Sequence, residues 1–401
     1  MSVAENFLKY ISFDTKSDEN CDSIPSTQGQ LILGEFLVGE LSRVGMQNAH
    51  MDENGYVYGF LPASKGMEEK PAIGFIAHMD TSPDVSGKDV CTEVIDYKGG
   101  DIVHKNGLVT SLKDFDFLEN FIGQHLIITG GDTLLGSDDK AGIAEIISAM
   151  EYLTNHTELA HPKISVAFTP DEEIGSGADL LDLDKFGADY GYTIDGGFLG
   201  ELEYENFNAA GAKIVVKGVN IHPGSAKNKM KNAVLMANEF ISMMPKAETP
   251  AHTEGYEGFY HVAEFSGDES SAEFSMIIRD HDMEKFLARK EFIVNLTAYL
   301  NGVYGEGSFT AFIKDSYYNM KEKVLPFPHI IENAKVAMES VGVMPKVVAI
   351  RGGTDGARLS FRGLPCPNLS TGGMNFHSVH EMVSVEAMEK MVEVIVAIAT
   401  K

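Results

Sequence analysis

Four short clusters of acidic residues and histidine follow apolar runs of the sequence. The clusters are His78-Met79-Asp80, Asp138-Asp139, Asp171-Glu172-Glu173 and Asp195-Gly196-Gly197. The runs that precede them span residues 72–77, 126–129, 164–168 and 190–194. In open α/β sheets, ligands bind in the crevice outside the carboxyl ends of the strands. We therefore expect the four clusters to lie together at one edge of a sheet.

The chemistry that suits these clusters is metal binding. Several carboxylates at one edge repel one another and raise each other's pKa values unless cations compensate their charge. Imidazole nitrogens and carboxylate oxygens are zinc ligands, and two metals ~3.5–4 Å apart can share a carboxylate. Such a pair polarises a carbonyl and activates a bridging water, whose proton a nearby carboxylate passes to the leaving amine. The clusters predict a two-metal hydrolase.

Each cluster taken alone also has a structural explanation. A histidine at a strand end, such as His78, is often a hydrogen-bonded structural residue. Asp138-Asp139 before a helix can be an N-cap followed by an acid of the first turn. Asp171-Glu172-Glu173 can be a solvated run of charge. The occurrence of all four clusters at equivalent places favours the metal site over these separate explanations.

Motifs of other enzyme classes are incomplete in this sequence. No G-x-G-x-x-G follows an apolar run, so a dinucleotide site has no support. Gly131 and Gly136 have P-loop spacing, but Ser137-Asp138 follows where Lys and Ser or Thr are required. Neither a G-x-S-x-G motif nor the S-D-N and K-T-G partners of the S-x-x-K match at Ser137–Lys140 are present.

Composition narrows the partners and the compartment. The net charge of −27 argues against nucleic acid and anionic membranes as partners. The three cysteines, Cys21, Cys91 and Cys366, are far apart, which excludes a disulfide scaffold and favours a reducing cytosol. No secretory signal and no apolar run of the ~20 residues that span a bilayer is recognised. We therefore predict a cytoplasmic protein.

The organisation of the chain indicates an α/β protein with an insertion. Short apolar runs alternate with helical patterns, such as Lys140–Leu153, up to about residue 207 and again after 317. A different block lies between, with the β-α-β-β-α-β order of a small open sheet. Its predicted elements are strands Lys213–Val219, Ala272–Ile278 and Ser308–Lys314 and helices Lys231–Met244 and Asp282–Asn301. We expect a discontinuous catalytic domain, 1–207 and 318–401, and an inserted domain, 208–317.

Over essentially its whole length the chain resembles the dinuclear zinc peptidase family of aminoacylases, carboxypeptidases and di- and tripeptidases. The resemblance rests on Gly74–Asp84, Leu134–Gly142, Ala167–Gly175, Thr193–Gly197, Glu254–His261, Asp315–Lys323, Arg351–Gly356 and Pro365–Gly373. It implies a mixed, largely parallel sheet with helices on both faces and an inserted α+β, ferredoxin-like dimerisation domain. It also implies a zinc aminopeptidase that acts on tripeptides, with a dipeptidase or an N-acyl amino acid deacylase as the alternative.

The resemblance assigns roles to individual residues. It implies that two zinc ions are bound by His78, Asp138, Glu173, Asp195 and His377. Asp80 would orient the imidazole of His78, and Glu172 would be the general base. Asp138, rather than Asp139, would bridge the two ions next to a cis peptide bond. His380 is the alternative to His377 as the last ligand. All these residues are present, which argues against a catalytically silent binding protein.

The resemblance also implies roles in the inserted domain and in binding substrate. His222, in a His-Pro-Gly turn, would reach the active site of the partner in a homodimer and stabilise the oxyanion. Arg279, Arg351, Gly353 and Thr354 would contact substrate. An arginine suits a substrate carboxylate because its planar fork is bidentate. A surface salt bridge with Asp280 or Asp282 is the alternative for Arg279.

Overall fold

The computed structural model describes residues 2–401, which contain ten α-helices and eighteen β-strands. The helices are α1 (Val3–Tyr10), α2 (Gln28–Arg43), α3 (Ser137–Asn155), α4 (Leu183–Phe186), α5 (Ala233–Ser242), α6 (Met283–Tyr304), α7 (Lys321–Val324), α8 (Pro328–Ser340), α9 (Asp355–Phe361) and α10 (Val385–Ala399). The strands are β1 (Gln47–Met51), β2 (Val57–Leu61), β3 (Ile73–His78), β4 (Thr92–Asp96), β5 (Ile102–Val103), β6 (Val109–Thr110), β7 (His125–Thr129), β8 (Ile164–Thr169), β9 (Tyr190–Gly196), β10 (Glu201–Asn206), β11 (Asn208–Lys217), β12 (Phe259–Gly267), β13 (Ser271–Asp280), β14 (Phe309–Tyr317), β15 (Lys346–Ile350), β16 (Asn368–Ser370), β17 (Gly373–Met374) and β18 (Met382–Ser384). None of the helices in residues 2–401 is long and apolar enough to cross a bilayer.

The chain divides into two compact units. The larger unit comprises the chain up to Tyr204 together with Met320–Val348 and Thr354–Lys401. The smaller unit comprises Glu205–Asn319 and Ala349–Gly353. The block expected at 208–317 falls inside the smaller unit, which also includes the last two residues of β15 and the three residues that follow it.

The main sheet has eight strands in the order β1-β2-β8-β3-β9-β16-β10-β15. Its central strands β8, β3, β9 and β16 are parallel neighbours, whereas β1, β2 and β10 pair in antiparallel fashion. All residues of β3 and β8 are buried, as expected for parallel strands that are covered on both faces. Helix α3 packs against β3 and β9, and α2 packs against β1 and β2. The predicted mixed, largely parallel α/β fold is confirmed.

One expectation about the main sheet was wrong. The run at 126–129 is β7, which lies in a separate antiparallel sheet of order β17-β18-β7-β4. Asp138 therefore does not follow a strand of the main sheet and is carried instead by the first turn of α3. A short apolar run does not distinguish a parallel core strand from a strand of a second buried sheet, which explains the error.

The smaller unit has the predicted ferredoxin-like order β11-α5-β12-β13-α6-β14. Its sheet is antiparallel throughout, in the order β12-β13-β11-β14. Alternate residues of β13 are buried, as expected for a sheet with one covered face, and they pack with apolar residues of α5 and α6. The sequence analysis did not identify β12, because most of its residues are exposed and it lacks apolar alternation.

Candidate metal centre

The five predicted metal ligands converge in the larger unit. Nε2 of His78 lies 2.9 Å from Oδ1 of Asp138 and 3.5 Å from Oδ1 of Asp195. Nε2 of His377 lies 3.2 Å from Oδ2 of Asp138 and 2.9 Å from Oε2 of Glu173. Two imidazoles and three carboxylates thus face one another, although they come from five separate parts of the chain.

The carboxylate of Asp138 is placed as a bridge. One of its oxygens faces His78 and the other faces His377. The Asp138–Asp139 peptide bond is cis. The neighbouring Asp139 is buried and accepts hydrogen bonds from the backbone N–H groups of His78, at 3.1 Å, and Gly142, at 3.3 Å. Asp139 is therefore occupied by structural contacts, whereas Asp138 is available for two cations.

Asp80 holds three parts of the centre together. Its Oδ1 lies 3.2 Å from Nδ1 of His78, which leaves Nε2 of that imidazole facing the other carboxylates. The two oxygens of Asp80 also accept the backbone N–H groups of Glu172, at 3.0 Å, and Glu173, at 3.1 Å. One fully buried carboxylate thus orients an imidazole and fixes the segment that carries two further acids.

The two candidate histidines near the C-terminus have different surroundings. His377 has a positive φ of 58° and directs its imidazole at Asp138 and Glu173. His380 instead lies 2.7 Å, through Nδ1, from Oγ1 of Thr110, and its ring is 5.1 Å from that of Phe115. Only His377 therefore adjoins the carboxylate cluster.

Burial and mutual repulsion shift the pKa values of Glu172, Glu173 and Asp195 upwards. Burial also acts to raise the pKa of Asp138, but hydrogen bonds with His377 and His78 outweigh it and lower that pKa. The pKa of Glu173 is raised to about 8 and that of Asp195 to about 6, mainly because both carboxyl groups are buried. Burial, followed by the charge of Asp195, raises the pKa of Glu172 well above its ordinary value. Burial lowers the pKa of His377, but hydrogen bonds to Asp138 and Glu173 outweigh it and raise that pKa to about 11. The carboxylates of the centre thus disfavour one another's charged forms, and bound cations would relieve this repulsion.

The residues of the centre fit a divalent metal. Oε1 of Glu173 is buried and has no hydrogen-bond partner among residues 2–401. An unpaired buried carboxylate oxygen is costly, and a cation would compensate it. Ligand atoms of two groups, His78 with Glu172 and Asp195, and His78 with Asp138 and Glu173, lie within 4.8 Å of one another. Imidazole and carboxylate donors of this kind suit zinc.

Three residues predicted to bind substrate, Arg351, Gly353 and Thr354, contact other parts of the protein. Arg351 donates from Nη1 to the backbone oxygens of Gly255, at 2.7 Å, and Glu257, at 2.9 Å, within the smaller unit. A side chain at Gly353 would collide with the ring of Tyr317, 2.8 Å from an added Cβ. Thr354 is the N-cap of α9. These contacts leave their role in binding substrate a prediction.

The other two residues predicted to act on substrate lie in the smaller unit, Arg279 in strand β13 and His222 before a short 3₁₀ turn. Nη1 of Arg279 donates to the backbone oxygen of Ala210 at 3.1 Å. Asp280, one of the acids considered as its partner, accepts from Nε of Arg289 at 2.8 Å. His222 is exposed and caps a short 3₁₀ turn, and its Nδ1 accepts the backbone N–H of Gly224 at 3.2 Å.

Two buried acids near the centre were not predicted as functional. Asp355 accepts a hydrogen bond from Oγ1 of Thr169 at 2.8 Å, and burial raises its pKa to about 7. Glu381 is 1% exposed and accepts hydrogen bonds from the turn that carries Asp138. The position of Glu381 four residues after His377 was visible in the sequence, but its burial was not.

Comparison with known proteins places the chain among peptidases. The model of the peptidase dimerisation domain matches residues 204–308. Peptidase T of Caldanaerobacter subterraneus subsp. tengcongensis is 54% identical over 399 residues, which cover 99% of this chain and 97% of the relative. Peptidase T of Clostridium novyi is 54% identical over 400 residues, which cover 99% and 98%.

Solved structures have the same fold. Aminopeptidase PepT from Bacillus cereus superposes with a TM-score of 0.79 at 23% identity, covering 99% of this chain and 97% of that one. The YXEP protein of Bacillus subtilis, a dinuclear metal-binding peptidase of the M20 family, has a TM-score of 0.67 at 14% identity, covering 99% and 96%.

Proposed function

Because the chain belongs to the peptidase T family, it is a metallo-aminopeptidase that acts on tripeptides, and we propose that it works through two zinc ions with Glu172 as general base. The observation that carries this proposal is the division of the Asp138 carboxylate between the imidazoles of His78 and His377. The family resemblance seen in the sequence is confirmed.

The ligands divide into two sets that share Asp138. His78, Asp138 and Asp195 would hold one ion, and Asp138, Glu173 and His377 would hold the other. The unpaired Oε1 of Glu173 supports the second set. When bound, the ions polarise the scissile carbonyl and lower the pKa of the attacking water.

Glu172 is suited to move the proton of this water. Its backbone N–H is fixed by Asp80, and an oxygen of its carboxylate lies within 4.8 Å of ligand atoms of His78 and Asp195. Burial, followed by the charge of Asp195, raises its pKa. A carboxylate with a raised pKa takes the proton of the attacking water and then donates it to the amine that leaves.

Length selection follows from the two charged ends of a free tripeptide. The acids of the metal centre would attract the ammonium group, and Arg279, Lys227 or Arg351 would bind the carboxylate. A peptide of the wrong length leaves one charge unpaired, which costs several kcal/mol. Peptide turnover in the cytoplasm is consistent with the free thiols of Cys21, Cys91 and Cys366.

The smaller unit is proposed to form a homodimer. The matched peptidase dimerisation model covers most of this unit. His222 is exposed in a turn far in sequence from the metal ligands, so it is available to the active site of a second copy. There it would stabilise the negative charge that develops on the substrate carbonyl oxygen.

The metal content of two histidine variants tests the ligand set. Purified wild-type protein should contain about two divalent ions per subunit, and His377→Ala should lose about one of them. His380→Ala is the matched control and should retain both, because its ring faces Thr110. Loss of metal from His380→Ala but not from His377→Ala, measured by mass spectrometry of the metals, would show that the assignment is wrong.

The proton-transfer role is tested by Glu172→Ala. This variant should keep near-normal metal content and lose turnover by ~100-fold or more, because the water has no base. Glu173→Ala is the comparison and should lose both metal and activity. An active Glu172→Ala enzyme with depleted metal would instead identify Glu172 as a ligand.

Substrate selection is tested with a peptide panel. The kcat/KM for trialanine should exceed that for its N-acetylated, C-amidated and four-residue forms by about tenfold or more. Each altered peptide removes or misplaces one terminal charge. The panel also includes N-acetylated amino acids, and a preference for them would contradict the length selection and favour a deacylase.

Shared active sites are tested by mixing inactive subunits. Glu172→Ala and His222→Ala subunits should regain about a quarter of wild-type activity after random exchange, since half the dimers are hybrids with one complete site. Each variant exchanged with itself is the control and should stay inactive. Absence of recovery, with exchange verified by mass spectrometry, would exclude a contribution of His222 across the interface.

A further inference from the structure

The carboxylate of Glu381 is surrounded by donors from the turn that leads into α3. Its Oε2 accepts the backbone N–H groups of Leu135, at 2.7 Å, and Gly136, at 3.0 Å. Its Oε1 accepts both the backbone N–H and the hydroxyl of Ser137, at 2.7 and 2.6 Å. The backbone N–H of Asp138 is the fifth donor, at 3.2 Å. Four consecutive backbone groups thus converge on a single side chain.

These donors belong to a helix start that has no cap of its own. Gly136 occupies the N-cap position of α3 with a φ of 83°, and no side chain at that position caps the helix. The first N–H groups of a helix lack partners inside the helix and carry partial positive charge, which favours an anion. Asp138 and Asp139 also have non-helical dihedral angles, so the helix ladder alone does not hold Asp138.

Glu381 belongs to the same loop as the ligand His377. The backbone N–H of Glu381 donates to the backbone oxygen of Ser378 at 3.2 Å, and Oγ of Ser378 donates to the backbone oxygen of Asn375 at 2.8 Å. The loop is therefore compact over the residues that place the imidazole of His377. It touches the turn of Asp138 at two points, through the imidazole and through the carboxylate of Glu381.

We propose that Glu381 is a positioning residue that fixes the carboxylate of Asp138 against the imidazole of His377 before a metal binds. The proposal rests on the metal centre described under the proposed function. The carboxylate of Glu381 lies in the loop of His377 and holds the backbone of Asp138. It therefore couples the two ligands, so the ion does not have to establish their relative position. The hydroxyl of Ser137 adds to this anchor.

The test measures metal affinity of the metal-free enzyme by competition with a chromophoric chelator, with Zn²⁺ as the probe. In Glu381→Gln only one acceptor oxygen remains, and the NH₂ group that replaces the other oxygen faces N–H donors with which it cannot form hydrogen bonds. Zinc affinity should fall about 10–100-fold, as is typical when groups that orient ligands are lost. At saturating zinc, kcat should fall while KM for trialanine is unchanged, because no substrate contact is removed.

Glu386→Gln is the matched control. Glu386 is an acid close by in sequence that accepts the backbone N–H of His125 at 2.9 Å, away from the carboxylate cluster. This variant should bind zinc and turn over substrate as the wild type does. If Glu381→Gln melts at a lower temperature but binds zinc with wild-type affinity, Glu381 is only a helix cap and the proposal is wrong.

Two further outcomes are distinguishable. If Glu381→Gln does not fold, Ser137→Ala decides, since it removes only the hydroxyl donor. It should weaken zinc binding about threefold, as the loss of one hydrogen bond implies, and unchanged affinity would overturn the proposal. If wild-type protein itself binds no zinc, the proposed metal centre fails.

Discussion

The sharing of the Asp138 carboxylate between the imidazoles of His78 and His377 is the interaction on which the centre depends. Glu173 and Asp195 complete a group with more carboxylates than imidazoles, and burial raises the pKa values of both acids. Divalent cations compensate the charge of the carboxylates that the fold brings together. Metal binding and the stability of the centre are therefore linked.

The scaffold supplies this arrangement in two different ways. Strands β3 and β8 are parallel, with His78 opposite Thr169, so the segments after both strands leave the sheet side by side. Asp80 can therefore accept the backbone of Glu172 and Glu173 while it orients His78. Asp138 and His377 come from outside the main sheet, where no strand register fixes them. Their relative position is instead fixed by hydrogen bonds between Glu381, in the loop of His377, and the turn that carries Asp138.

The parts of the structure that could be predicted from the sequence are those set by local pattern. The continuous apolar runs predicted β3, β8 and β9, and the helical pattern at Lys140–Leu153 lies within α3. The position of Asp138 could not be derived in this way, because β7 belongs to another sheet. The choice of His377 over His380 came only from the resemblance, since both residues lie in one loop and only the tertiary structure separates them. Glu381 was missed because its donors are backbone groups more than two hundred residues away.

A zinc-edge anomalous diffraction map of crystals of the zinc-loaded protein tests the central claim most directly. The account predicts two peaks in each active site, about 3.5–4 Å apart, with one oxygen of Asp138 directed at each. His78 and Asp195 should contact the first peak, and Glu173 and His377 the second. A single peak, or two peaks that Asp138 does not bridge, would contradict the account.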